Sequence, residues 1–162
     1  MDDFFIQELI PKLFNMVDKI DGELSPTESE QNASKIIRSI FLDLETLGYS
    51  RQKPFVIGKV EERMIKYANE HDIQLGSTEV YMSSHSLAHS EREHKVTIGK
   101  AVPKEDIIAF PVTRHNMEMS YDGAAFIFTD GKAKYVLHPN YAIKIDRKKV
   151  KKVVFITATL IG

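Results

Sequence analysis

The spacing of apolar residues changes once along this chain, near residue 117, and this change limits the folds open to it. Before that point apolar residues recur every three or four positions, as in Phe5, Leu9 and Leu13, which is typical of amphipathic helices. After it they alternate with polar residues, and the continuous run VVFITATLI at 153–161 is typical of a buried central strand. We therefore predict an α+β fold, in which N-terminal helices precede a helix-flanked antiparallel sheet of about four strands.

The first 50 residues are predicted to form a separate acidic unit. The sequence SPTE starts a helix with Ser25 as its N-cap and Pro26 at the first helical position, and Gly48 ends that helix. Residues 1–50 carry 10 acidic and 4 basic side chains, a net charge of −6, whereas residues 51–162 carry 13 acidic and 18 basic ones, a net charge of +5. We predict an acidic N-terminal helical hairpin and a basic α+β domain with these bounds. The positive charge of the second domain favours an anionic partner, although ordinary variation between segments would also explain it.

Within the basic domain we predict three further helices and a hairpin. The helices are expected at roughly 59–71, at HSLAHSEREHK (85–95) and at PKEDIIAF (103–110), which Pro111 ends. Asp130-Gly131 lies between two β-prone segments and is typical of a hairpin turn. The chain has no cysteine, which excludes disulfides, thiolate zinc sites and cysteine nucleophiles. Neither a signal peptide nor a membrane span is predicted.

The segment HSLAHSEREHK contains half of the six histidines. At about 100° per residue, His85, His89 and Arg92 share one helix face, with Lys95 at its edge, whereas His94 lies on the far side. The spacing H-x-x-x-H is a known zinc-ligand pattern, but its metalloprotease form requires glutamate after the first histidine, where this chain has serine. An arginine on the same face would also repel a dication. We therefore predict no metal and no cofactor.

The same helix face carries residue types that suit RNA cleavage. Histidine can act as a general acid or base at neutral pH, and arginine and lysine stabilise the charge that develops on a phosphorane. The candidate catalytic residues are His89, Arg92, Lys95, His138 and Thr157. The candidate nucleic-acid-binding residues are His85, Lys144, Arg147, Lys148 and Lys149. The run YAIKIDRKKVKK carries six cations and is able to hold a polyanion by counterion release; a solvated, charged turn between two strands would explain the same run.

Several short motifs follow one another in order across residues 56–158. VYMS precedes an H-x-x-R-x-x-K helix formed by His89, Arg92 and Lys95, and AVPKEDIIAFP then precedes the predicted sheet. This order resembles the phage and prophage members of the barnase/EndoU/colicin/RelE-like nuclease group, which often lie at the C-terminal ends of phage head-morphogenesis or minor capsid proteins. The resemblance implies metal-independent cleavage of host or phage RNA to a 2′,3′-cyclic phosphate, and it matches the family's last-strand hydroxyl to Thr157.

Three functions are open at this point. The first is a metal-independent phage or prophage ribonuclease that acts by 2′-OH attack. The second is a non-catalytic phage accessory domain that binds nucleic acid or a virion protein. The third is an ADP-ribosyltransferase-like enzyme, although no arginine, Ser-Thr-Ser strand and catalytic glutamate occur in the required order. The expected partners are RNA and, through residues 1–50, a phage structural or immunity protein, with no membrane. The expected location is the bacterial cytoplasm or the virion.

Overall fold

The computed structural model describes residues 27–90, 96 and 98–161. Four helices lie in these ranges: α1 (Glu28–Leu47), α2 (Glu62–Glu70), α3 (Ser84–Ser90) and α4 (Lys104–Thr113), which continues into a 3₁₀ turn at Arg114–Asn116. Six strands accompany them: β1 (Phe55–Lys59), β2 (Glu79–Met82), β3 (Glu118–Tyr121), β4 (Phe126–Thr129), β5 (Ala133–Ile145) and β6 (Lys148–Leu160). No helix among the described residues is both long enough and apolar enough to cross a membrane.

The six strands form one sheet in the order β1-β2-β6-β5-β4-β3. The α+β class is confirmed, but the sheet is larger than the four strands predicted, and it is mixed, because β2 and β6 are parallel. A parallel pair needs a long crossover, and here the chain between β2 and β6 supplies helices α3 and α4 and three strands. The sequence did not reveal β1 because the strand is only five residues long and a register shift between Val56 and Gly58 breaks its alternation.

Helix α1 begins two residues later than the sequence indicated. Thr27 is the N-cap: its hydroxyl accepts a hydrogen bond from the Glu30 amide, and the Glu30 carboxylate accepts one from the Thr27 amide. This reciprocal pair forms a capping box, so the prediction of Ser25 as the cap was wrong. Gly48 ends the helix in the left-handed conformation, as predicted. The predicted helix before α1 lies outside the described residues.

Helix α1 shares one hydrophobic core with the sheet. Ile37, Ile40 and Phe41 are buried in the same cluster as Ile57 of β1 and Phe110 of α4. The predicted domain boundary at residue 50 therefore falls between two elements, α1 and β1, that pack on each other.

Helix α4 does not stop at Pro111 as predicted, but continues to Thr113. A proline within a helix removes one amide hydrogen bond and crowds the carbonyl four residues earlier. Near the end of α4 this cost is confined to the last turn, and the burial of Phe110 and Pro111 in the core offsets it.

Two hairpins shape the C-terminal half of the sheet. Asp130-Gly131 lies in the loop between β4 and β5, which confirms the predicted hairpin, and the Asp130 carboxylate accepts bonds from the amides of Lys132 and Ala133. The second hairpin joins β5 to β6 through Asp146-Arg147, whose φ angles of 51° and 69° are those of a two-residue turn. Strand β5 is 13 residues long and runs through Pro139, with an irregular register between His138 and Tyr141.

Candidate functional site

A cleft of about 430 Å³ lies between helix α3 and the strands β5 and β6, and we call it the histidine cleft. Its lining residues are Pro54, Ser83, His85, Ser86, His89, Tyr141, Ala142, Ile143, Lys144, Val154 and Ile156. The volume falls within the range of roughly 300–1,000 Å³ that small-molecule sites have. The cleft therefore brings residues near the start of the basic domain, such as Pro54, together with residues near its end, such as Ile156.

Helix α3 presents both of its histidines to this cleft. Leu87 is fully buried in the core and fixes the opposite side of the helix. Ser83 holds the first turn, because its hydroxyl accepts a hydrogen bond of 3.2 Å from the Ser86 amide. His85 and His89 are one turn apart, so that they are neighbours on the surface of the helix. The two described residues of the predicted face, His85 and His89, therefore both line the cleft.

The outer half of β5 forms the opposite wall. In a two-residue hairpin the strand pair next to the turn, here Ile145 and Lys148, exchanges main-chain hydrogen bonds. Hydrogen-bonded and non-hydrogen-bonded pairs then alternate along the two strands, so that Ala142 and Lys144 belong to non-hydrogen-bonded pairs. The amides of Ala142 and Lys144 therefore point away from β6. Strand β4 pairs with β5 only as far as Leu137, and no other described strand pairs with the outer half of this edge. Ala142 and Lys144, which line the cleft, thus each present a main-chain N–H donor on the unpaired edge of β5.

The outer parts of β5 and β6, residues 141–152, form what we call the basic hairpin. Its six cations are Lys144, Arg147, Lys148, Lys149, Lys151 and Lys152. Lys144 and Lys149 are directly opposite each other in the strand register, an arrangement of like charges that destabilises a sheet. Among the described residues, no carboxylate forms a salt bridge with any of the six. The hairpin thus carries positive charge that an anion would neutralise.

Three of the residues predicted from sequence line the histidine cleft together: His85, His89 and Lys144. Arg92 and Lys95 lie outside the described residues. The other three predicted cations, Arg147, Lys148 and Lys149, lie at the tip of the basic hairpin and do not line the cleft.

His138 and Thr157 lie beside the cleft but do not line it. The His138 ring centroid is 5.3 Å from that of Tyr141, which does line it. The Asn140 amide donates to Nδ1 of His138, which places the proton of the neutral ring on Nε2. Burial lowers the pKa of His138, and the positive charge of Lys151 lowers it further. Thr157 follows Ile156 of the cleft and pairs with Val136.

A second cleft, of about 640 Å³, borders a cluster of charged residues that the sequence did not reveal. We call it the buried ion cluster, and its members are Glu30, Glu61, Arg63, Arg114 and His115. The Arg114 side chain is completely buried; its Nη1 lies 3.3 Å from Glu61 Oε2, its Nη2 lies 3.6 Å from Glu30 Oε2, and Nη2 donates to the Lys59 carbonyl at 2.9 Å. His115 Nε2 lies 2.6 Å from Glu30 Oε2. Each charge in the cluster therefore has a partner within it.

The cluster also sets the ionisation of Glu30. Burial by itself would raise the pKa of this carboxyl. Hydrogen bonds from His115 and from the Thr27 amide, with the positive charges of His115 and Arg114, outweigh burial and leave the pKa below its usual value. Because its groups neutralise one another and tie α1, β1 and the end of α4 together, we interpret the cluster as structural and the histidine cleft as the candidate functional site.

Gly58 is the position where the main chain passes closest to this cluster. A Cβ atom there would lie 2.5 Å from Nη2 of Arg114, and the φ angle of +146° disfavours other residues. We expect Gly58→Ala to lower the free energy of unfolding by about 2–5 kcal/mol, because backbone strain and overpacking add. Urea denaturation measures this loss.

Gly131→Ala is the matched control for that substitution. Gly131 also has a positive φ angle, of +92°, but an added Cβ would have no neighbour within 4 Å. We expect Gly131→Ala to lower the free energy of unfolding by no more than about 1–2 kcal/mol, because only backbone strain contributes. Equal losses in the two variants would contradict the close packing of Gly58 against Arg114.

Among the described residues, no three histidine, aspartate or glutamate side chains are placed so that they could hold a metal ion together. Comparisons of the chain with protein-family models, with curated proteins and with solved structures found no match. The functional evidence for this chain therefore comes from the geometry of its histidine cleft and from the order of its sequence motifs.

Proposed function

We propose that this protein is a metal-independent endoribonuclease that cleaves RNA in the histidine cleft. The observation that carries the proposal is that His85 and His89 of α3 and Lys144 of the basic hairpin line one cleft. Two imidazoles and a cation in one cleft are the groups that transesterification of RNA requires. The motif resemblance adds a phage or prophage origin to the proposal, with action in the bacterial cytoplasm or in association with the virion.

In the proposed reaction, one histidine of the cleft removes the proton from the ribose 2′-OH. The 2′-oxygen attacks the adjacent phosphorus, the bond from phosphorus to the 5′-oxygen breaks, and the other histidine protonates that oxygen. The products are a 2′,3′-cyclic phosphate and a free 5′-OH. Lys144 and the main-chain amides of Ala142 and Lys144 stabilise the negative charge on the non-bridging oxygens, as oxyanion donors do.

The proposal is tested by incubating the purified full chain with a labelled single-stranded RNA and with DNA of the same sequence, both in excess EDTA. We expect cleavage of the RNA alone, with fragments that end in 2′,3′-cyclic phosphate. Equal cleavage of the DNA, or RNA that stays intact in EDTA across pH 5–8, would each overturn it.

A second candidate, a non-catalytic domain that binds nucleic acid, is favoured by the uncompensated charge of the basic hairpin. Binding of the RNA without any product would support this candidate against the first. Both candidates require the hairpin to contact phosphates, so that both predict binding that weakens as salt is added.

We expect the double variant Lys148→Gln/Lys149→Gln to reduce the slope of log K against log salt concentration by about 1.4, since each phosphate contact on single-stranded nucleic acid contributes about 0.7. Fluorescence anisotropy of a labelled RNA at a series of salt concentrations measures this slope. The control is Lys35→Gln/Lys66→Gln, which removes two cations from helices α1 and α2. If both variants change the slope equally, the hairpin is not the contact surface.

A further inference from the structure

The histidine cleft has a second half that phosphate chemistry does not explain. Besides the two histidines and Lys144, its lining includes the apolar or aromatic residues Pro54, Tyr141, Ile143, Val154 and Ile156. Tyr141 is 45% exposed, although it belongs to a strand and borders a cleft. An apolar wall does not stabilise a bound phosphate group, whereas it does stabilise the flat face of a bound nucleobase.

Resting on the proposed function, we propose that Tyr141 stacks on an unpaired base and thereby restricts the cleft to single-stranded RNA. Tyr141 is three residues from Lys144 on the same strand, and both line the cleft. A base on the tyrosine ring therefore lies in the same cleft as Lys144 and the two histidines. Aromatic platforms next to cations are the usual means of holding single strands without sequence preference.

The position of the ring supports this role. One side of Tyr141 is held by His138, whose ring centroid is 5.3 Å away with an interplanar angle of 58°. The residue also lines the cleft, and it is 45% exposed. Bases in a duplex are stacked on each other and are not available to such a ring, so that double-stranded RNA would reach only the cations of the hairpin.

The test compares Tyr141→Ala and Tyr141→Phe with Tyr49→Ala, whose tyrosine is 49% exposed but does not line the cleft. On a labelled stem-loop RNA, the wild type should cut the loop and leave the stem intact. Tyr141→Ala should raise KM about 5- to 100-fold with kcat nearly unchanged, because a stacked base contributes that factor to binding. Tyr141→Phe and Tyr49→Ala should stay within about twofold of the wild type.

A second measurement separates stacking from a general loss of fold. In 2′-O-methyl oligonucleotides, which cannot be cleaved by 2′-OH attack, one abasic nucleotide at the bound position should weaken wild-type binding by the same factor. It should have no effect on binding to Tyr141→Ala.

The outcomes distinguish this inference from the proposed function. If loop and stem are cut equally, or if Tyr141→Ala keeps the wild-type KM, the stacking role is refuted while the ribonuclease stands. If the RNA stays intact but abasic substitution weakens binding only when Tyr141 is present, the ribonuclease is refuted and the stacking role stands.

Discussion

Replacing His89 by alanine should lower kcat for RNA cleavage by a factor of about 10² to 10⁴, the usual contribution of one general acid or base. His89 lines the histidine cleft together with His85 and Lys144. In the proposed reaction its imidazole transfers one of the two protons. Single-turnover cleavage with saturating enzyme measures the chemical step without contributions from binding.

His71→Ala is the control for this variant. His71 is exposed, stacks on Tyr67 with ring centroids 3.9 Å apart, and is not part of the cleft. It should cleave RNA at the wild-type rate. If His89→Ala and His71→Ala both cleave like the wild type, the histidine cleft is not the active site.

Replacing Arg114 by methionine should lower the free energy of unfolding by about 3–5 kcal/mol, which is typical when one partner of a buried ion pair is removed. The substitution removes the guanidinium that lies between the buried Glu30 and the partly buried Glu61, whose remaining partners include His115 and Arg63. It also leaves the Lys59 and Pro111 carbonyls without a donor. Methionine keeps much of the side-chain volume of arginine, so that the loss of stability reports mainly the ion pairs and hydrogen bonds that Arg114 made. Urea denaturation at pH 7 measures it.

Arg38→Met is the matched comparison, because Arg38 also pairs with a glutamate. Its Nη1 and Nη2 atoms lie 3.0 and 3.1 Å from the Glu105 carboxylate oxygens, but the two side chains are 62% and 71% exposed. Such exposed pairs contribute less than about 1 kcal/mol. Equal losses in Arg114→Met and Arg38→Met would contradict the structural role of the buried ion cluster.

Residue spacing predicted those parts of the molecule that depend on local geometry. The shared face of His85 and His89 follows from 3.6 residues per turn, and the hairpin at Asp130-Gly131 follows from turn chemistry. Gly48 was identified as a helix end because the left-handed conformation favours glycine.

The remainder depends on contacts between distant residues. Glu30 and Arg114 are 84 positions apart, and no motif links the two, so that only the packing of α1 against the end of α4 brings them together. The T-x-x-E pattern of Thr27 and Glu30 was a local signal for the true helix start, but the neighbouring S-P-T-E pattern competed with it. The parallel pairing of β2 with β6 had no local signal, because strand order is set by the whole core.

The most direct test of the proposed chemistry is a DNA oligonucleotide that contains one ribonucleotide, incubated with the full chain in EDTA. The proposed reaction predicts one cut, on the 3′ side of that ribonucleotide, with a 2′,3′-cyclic phosphate on one fragment and a 5′-OH on the other. It also predicts that a 2′-O-methyl group at that position prevents the cut. An oligonucleotide cut despite that methyl group would contradict attack by the 2′-OH, and one left intact under conditions in which the wild-type chain binds it would contradict ribonuclease activity.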